Sequence, residues 1–134
     1  GCPVNGPRAS AIGNNISVAW FSAPEGKPVV NVTFSHDGGA TFSKPLRVDE
    51  GKPNGRVDVT QIDDNACMVS WMEDGNIKVV KVNADGSKGS SITIAASSEA
   101  RSSGFPQMTR AGKELIFAWT DDKEKIVKVA SLPI

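Results

Sequence analysis

The chain consists of short apolar runs separated by polar turns. Three of these runs end in a tryptophan, at residues Ile16–Trp20, Cys67–Trp71 and Leu115–Trp119. Runs of about 4–8 residues that are rich in Val, Ile, Thr, Phe and Trp and bounded by Gly, Pro, Asn or Asp are typical of β-strands. Val57 and Val59 alternate with polar residues, as in a half-buried strand, and no segment keeps a helical period. The pattern therefore predicts an all-β chain.

The order of the runs repeats three times. The tryptophans recur at intervals of about 50 residues, each with one short run before it and another after the next turn. The first two units add a fourth run, Leu46–Val48 and Ile92–Ile94, and the third unit stops where its fourth run would begin. Units of about 40–50 residues with four antiparallel strands are typical of β-propeller blades. We expect blades near residues 7–50, 55–97 and 104–134 of a single domain.

A β-sandwich of eleven strands is the alternative fold. A sandwich gives no reason for a tryptophan to recur at a fixed phase of each unit, whereas a blade repeat does. The repeat therefore favours the propeller, and it predicts that Trp20, Trp71 and Trp119 occupy equivalent, largely buried places in three successive sheets.

Charge and composition narrow the possible partners. The 134 residues carry 15 basic and 15 acidic side chains, and this neutral balance argues against nucleic acid and anionic membrane surfaces as partners. No apolar run approaches the roughly 20 residues that span a bilayer. No secretory signal is recognisable, so we expect a cytosolic chain, a mature chain or a fragment.

One turn carries a specific motif. Residues Ser35-His36-Asp37-Gly38-Gly39-Ala40-Thr41-Phe42 resemble the Asp-box, Ser-x-Asp-x-Gly-x-Thr-Trp/Phe, of the bacterial neuraminidase repeat. A degenerate version, residues 83–87, occupies the same place in the second unit, and residues 1–7 resemble a segment that precedes a blade in bacterial sialidase-like propellers. The resemblance implies three four-stranded blades, half of a six-bladed sialidase-like β-propeller, and it favours a periplasmic or secreted location.

The chemistry of the motif points to a structural role. The Asp37 carboxylate is placed to accept backbone N–H groups across the turn, while Gly38 and Gly39 permit positive φ and the Phe42 ring can pack under the hairpin. In sialidase-like families the boxes lie away from the catalytic face. We therefore expect the box to lock its hairpin, and we expect His36 to be a solvated turn residue. The structural box residues are Ser35, Asp37, Gly39, Thr41 and Phe42.

The candidate ligand-binding residues are Arg8, Arg56 and Asp58. Both arginines stand at the start of a predicted innermost strand, which in a propeller lines the central channel, where a guanidinium can bind a carboxylate through two hydrogen bonds. Asp58 is expected to share the face of Arg56 and to pair with it. The alternative is that all three are rim charges or structural ion pairs.

Catalytic chemistry is not predicted for this chain. Sialidases use a tyrosine nucleophile assisted by a glutamate, besides an arginine cluster and an aspartic general acid, and the chain contains no tyrosine. A single histidine makes neither a metal site nor a catalytic triad. Residues 83–87 faintly resemble a calcium loop, but Ile94 stands where an EF-hand needs glutamate. We expect no metal and no cofactor, and Cys67, which aligns with Ile16 and Leu115, should be a packed thiol.

Three functions remain open at this point. They are a glycan-binding, sialidase-like propeller whose catalytic parts lie elsewhere, a non-enzymatic scaffold for protein partners, and a glycoside hydrolase that is competent only after assembly. Three blades leave two bare faces, so we also expect self-association into a six-bladed ring, with residues 2–5 supplying the missing outer strand of the partner. The rival is a fragment of a longer six-bladed chain.

Overall fold

The structure, a computed structural model, describes residues 6–134. It is built from three antiparallel sheets with four, four and three strands, which confirms the all-β, blade-like prediction. The described part of the third sheet has three strands, as its sequence repeat indicated. The strands are β1 (Arg8–Ile12), β2 (Asn15–Ser22), β3 (Val29–Ser35), β4 (Leu46–Arg47), β5 (Pro53–Asp63), β6 (Ala66–Glu73), β7 (Asn76–Asn83), β8 (Ile92–Ala96), β9 (Gln107–Ala111), β10 (Glu114–Asp121) and β11 (Ile126–Pro133).

Each sheet is a meander in which consecutive strands pair with each other. Successive strands therefore reverse direction, and every sheet has two ends. The segments that join one sheet to the next, residues 48–52 and 97–106, lie at the same end as the hairpins after β2, β6 and β10. We call this end the linker side. The hairpin that carries the Asp-box, between β3 and β4, lies at the opposite end.

The tryptophans occupy equivalent positions in the three sheets. Each lies two residues before the end of the second strand of its sheet, in β2, β6 and β10. Each pairs with the third strand in the same phase, opposite Asn31, Lys78 or Lys128. The repeat inferred from the sequence is therefore present in the strand register.

The core lies between neighbouring sheets. One apolar cluster fills the space between the first and second sheets and includes Val32, Val69 and Trp71. A second cluster fills the space between the second and third sheets and includes Met72 and Phe117. The middle sheet is covered on both faces, so every residue of β6 is buried. Each outer sheet has one covered face.

Trp20 differs from its two counterparts in burial. Trp71 and Trp119 are buried, as expected, whereas Trp20 is only partly buried, so the expectation was wrong for that residue. The reason is its place in the stack. In the second and third sheets the tryptophan faces the preceding sheet, and the same face of the first sheet has no sheet against it among residues 6–134. Within that range no helix is long and apolar enough to span a membrane.

Candidate functional site

The innermost strands β1, β5 and β9 lie side by side and bring three polar side chains together on the linker side. The Arg8 Nε atom lies 3.5 Å from Asp58 Oδ1. The Arg8 Nη2 group donates a hydrogen bond of 3.4 Å to the Gln107 side-chain oxygen. We call Arg8, Asp58 and Gln107 the channel-end cluster, because each blade contributes one of its members.

Asp58 holds the cluster in place. Its side chain is buried, and its Oδ2 atom accepts a hydrogen bond of 2.9 Å from the Met108 backbone N–H, which ties β5 to β9. Its Oδ1 atom accepts a second hydrogen bond, also 2.9 Å, from the Val59 N–H. Both carboxylate oxygens are thus anchored to the backbone, and the negative charge is fixed beside Arg8.

Arg8 presents its guanidinium to solvent. Its side chain is 49% exposed, against 8% for the Asp58 side chain with which it pairs. An exposed guanidinium that is oriented from behind by a buried carboxylate retains donors for a further carboxylate or hydroxyl group. These donors at the ends of the innermost strands are able to bind a polar ligand.

Arg56 lies apart from the channel-end cluster, although the sequence indicated that it would line the channel beside Asp58. Its Nη2 group donates to the carbonyl oxygens of Glu99 at 2.7 Å and Ala100 at 3.0 Å, and its Nη1 group donates to that of Ser98 at 3.3 Å. The guanidinium carbon also lies 5.9 Å from the centre of the Phe105 ring. Burial lowers the pKa of Arg56, and the nearby Glu99 charge partly offsets this effect. Arg56 thus fastens the linker at residues 97–106.

The partner of Asp58 is Arg8, where the sequence pointed to Arg56. Val57 and Val59 both pack between the first and second sheets, whereas Arg56 contacts Met72 and Asp58 binds the β9 backbone, so Arg56 and Asp58 lie on the same side of β5. The pairing of β5 with β6 shifts register between Gly55 and Asp58, and Arg56 has a φ of 54°. At this irregularity the Arg56 guanidinium is held by the linker carbonyl groups and not by Asp58.

Gln107 was missed by sequence reasoning, although the repeat contains the signal that finds it. Arg8, Asp58 and Gln107 occupy the same register position in their sheets, since each pairs with the residue just before the repeated tryptophan. Aligning the units on the tryptophans brings Arg8 and Gln107 into one column, whereas Asp58 is displaced by one residue because the pairing of β5 with β6 shifts register between Gln61 and Asp63. The paired residues are Ala19, Ser70 and Ala118.

The Asp-box lies at the other end of the first blade. Asp37 accepts hydrogen bonds from the Thr41 N–H at 2.9 Å, the Thr41 hydroxyl at 2.5 Å and the Ser35 hydroxyl at 2.8 Å. These bonds, those from Thr41 first, lower the pKa of Asp37 to about 2. The Ser35 oxygen in turn accepts from the Gly39 N–H at 2.9 Å. Phe42 is 47% exposed, so the carboxylate rather than the ring holds this hairpin.

The other titratable groups of the described residues include His36 and Cys67. Among residues 6–134 no group of three or more His, Cys, Asp or Glu side chains is placed to hold a metal ion. His36 is exposed, and its Nδ1 atom shares a hydrogen bond of 2.7 Å with the Asn15 side-chain oxygen. Cys67 is a free, buried thiol, and burial raises its pKa to about 12. The strand expected at residues 2–5 lies outside the described residues.

Comparison with known proteins identifies a structural neighbour. No protein-family model matches the chain, and no curated protein matches it either. The fold is similar to the crystal structure of a point variant of the NanB sialidase from Streptococcus pneumoniae, with a TM-score of 0.62 and 14% sequence identity. The match covers 96% of this chain and 23% of the sialidase, so the chain spans about a quarter of that protein's length. At this identity the likeness concerns the fold alone: the three sheets are arranged like part of a sialidase.

Proposed function

We propose that the chain is the glycan-binding part of a sialidase-like propeller without complete catalytic machinery, and that it recognises the carboxylate of an acidic sugar. The observation that carries this proposal is the channel-end cluster. Arg8 is half exposed there, oriented by the buried Asp58, at a point where three blades meet. The sialidase-like fold supports the same ligand class by analogy only.

The geometry favours a single-point anchor over a deep pocket. The Arg8 contacts to Asp58 and Gln107 are long, at 3.5 and 3.4 Å, so an incoming carboxylate can draw the guanidinium away from them. Charge-assisted bonds to a carboxylate are strong, but Asp58 already neutralises part of the positive charge. We therefore expect weak binding, with a Kd of about 1 mM or above.

The test is a titration with the methyl glycoside of N-acetylneuraminic acid, followed by NMR. Backbone amides of residues 8–10 and 107–109 should shift, and the shifts should disappear in Arg8→Ala. Lys44→Ala is the matched control, because Lys44 is an exposed cation at the Asp-box end. Binding that survives Arg8→Ala unchanged, or that is lost equally in Lys44→Ala, contradicts the proposal.

A second candidate function is a scaffold that associates through its bare sheet faces. On the free face of the third sheet, Val127 is 67% exposed and Val129 is 64% exposed. On the free face of the first sheet, Val18 and Trp20 are only partly buried. Within the chain, the tryptophan-bearing face of one sheet packs against the opposite face of the preceding sheet, and these two free faces are of the same two kinds. We propose that a second copy covers them, closing a six-bladed ring, with the remainder of a longer chain as the rival occupant.

A hydrolase that becomes competent only on assembly is the third candidate. It requires a nucleophile from outside this chain, since no tyrosine is present. Release of fluorophore from a fluorogenic sialoside by the assembled protein would support it. Ligand binding without such release would support the glycan-binding proposal.

A further inference from the structure

A cavity of about 430 Å³ lies on the linker side, between the end of the second sheet and the tip of the third. One wall is formed by Ala96 at the end of β8 and by Ser97 and Ser98 of the linker. The other wall is formed by Trp119 and by the hairpin after β10, residues 121–123. The cavity is separate from the channel-end cluster, because it lies beside the second strand of the blade and not beside the innermost one.

The equivalent place between the first and second sheets is filled by a glutamate. Glu73 is buried, and its Oε1 atom accepts a hydrogen bond of 2.8 Å from the indole N–H of Trp71. The same carboxylate accepts from the backbone N–H groups of Glu50 at 2.9 Å and Lys52 at 2.8 Å, in the linker between the two sheets. The indole, the carboxylate and the linker thus close the space.

The corresponding carboxylate in the third sheet, Asp121, does not close the space. It stands two residues after Trp119, as Glu73 does after Trp71. Its Oδ1 atom accepts instead from the N–H groups of Lys123 and Glu124, both at 2.9 Å. The hairpin after β10 has four residues between its strands and offers these donors, whereas the hairpin after β6 has only two.

The result is an indole donor that lacks the acceptor its counterpart has. Trp119 is 8% exposed and lines the cavity, and its N–H makes no hydrogen bond within residues 6–134. The indole nitrogen itself is not among the fully buried polar atoms that lack a partner, so water reaches it in the cavity, and a ligand oxygen that accepts from the N–H takes the place of that water. The cavity volume falls within the range of about 300–1,000 Å³ that is typical of small-molecule sites.

We propose that this cavity binds a neutral sugar of about one or two rings, whose hydroxyl oxygen accepts the Trp119 indole N–H in the place that Glu73 fills beside Trp71. The lining selects this chemistry. It offers donors from the indole, the serine hydroxyls and Lys123, and acceptors from Asp121 and Asp122. Asp121 and Asp122 are paired with Lys128 and Lys125, so the lining offers polar groups without a strong excess of either charge, and sugar hydroxyls can both donate to it and accept from it.

The test uses the indole N–H signals of the three tryptophans, recorded by NMR on the whole chain and assigned with single Trp→Phe variants. Glucose, galactose, mannose and N-acetylglucosamine are titrated to about 100 mM, which detects a Kd in the millimolar range. The Trp119 signal should shift in a saturable way with at least one sugar, together with the amides of Ser97, Ser98 and Lys123. The Trp71 signal should stay in place, because its N–H is already bound to Glu73.

Two variants and one control complete the test. Trp119→Phe removes the donor and should raise the Kd read from the amide shifts at least about tenfold. Ala96→Phe fills the cavity from the opposite wall and should abolish the shifts without removing a hydrogen bond. Trp20→Phe removes an indole N–H outside the cavity and should leave the Kd unchanged. The proposal is overturned if no sugar moves the Trp119 signal, if acetate moves it more than the sugars do, or if binding survives Ala96→Phe.

Discussion

Replacing Glu73 by alanine should destabilise the chain strongly, because this buried carboxylate is the acceptor for three donors from two parts of the fold. The donors are the Trp71 indole and the backbone N–H groups of Glu50 and Lys52. A hydrogen bond to a charged acceptor contributes about 1.5–3 kcal/mol, and a buried donor left without an acceptor costs about 1–3 kcal/mol. The Trp71 indole is fully buried, whereas the two linker N–H groups lie in part-buried bonds that water can replace.

Adding one full penalty for the indole to a partial penalty for the linker gives a loss of about 2–4 kcal/mol. The measurement is urea denaturation of Glu73→Ala and of the unchanged chain, with the slope of the transition compared as well as its midpoint. Glu73→Gln is the conservative variant, since its amide oxygen still accepts from the indole, and it should lose less. The matched control is Glu99→Ala, an exposed glutamate of the next linker, with an expected loss of at most about 1 kcal/mol. Equal losses in Glu73→Ala and Glu99→Ala would refute the reasoning.

Three further predictions concern the repeat, the box and the bare faces. Trp71→Ala should cost about 3–5 kcal/mol in denaturant unfolding, since the ring is fully buried between two sheets, and a mild effect would contradict the blade packing. The pKa of Asp37 is lowered to about 2 from an ordinary 3.8, so its contribution to stability is full above pH 4 and is lost as the pH falls towards 2. Asp37→Asn should therefore lower the melting temperature at pH 6 and have little effect at pH 2, and a constant difference would refute the box as a carboxylate lock. Light scattering after gel filtration should give twice the mass of one chain and, for Trp20→Ala, a shift towards the monomer; a well-folded monomer of the unchanged chain at micromolar concentration excludes the ring of two copies.

The sequence predicted the fold well because the fold depends on periodic apolar positions. The recurring tryptophans and the alternation around Val57 and Val59 report directly on which side chains face a neighbouring sheet. The contacts of the polar side chains at the candidate site do not follow from this apolar pattern. The register shift beside Arg56 leaves its guanidinium on the linker carbonyl groups, and the sequence around it does not indicate that shift. Glu73 accepts hydrogen bonds from the indole of Trp71, which is two residues away, and from two backbone N–H groups of a linker more than twenty residues earlier in the chain. Hydrogen bonds between residues so far apart in the chain leave no periodic pattern in the sequence.

The channel-end cluster has a consequence for how a ligand must lie. Successive blades are copies of one another in backbone register, so a ring built from them has an approximate rotational symmetry. Arg8, Asp58 and Gln107 occupy one repeated position, yet they are a cation, an anion and a neutral amide. Turning a ligand by one blade therefore changes the charge that its groups face: a carboxylate moved from Arg8 to Asp58 meets repulsion in place of attraction. The backbone thus repeats from blade to blade while the charge does not. A charged ligand therefore has one favoured orientation over this cluster.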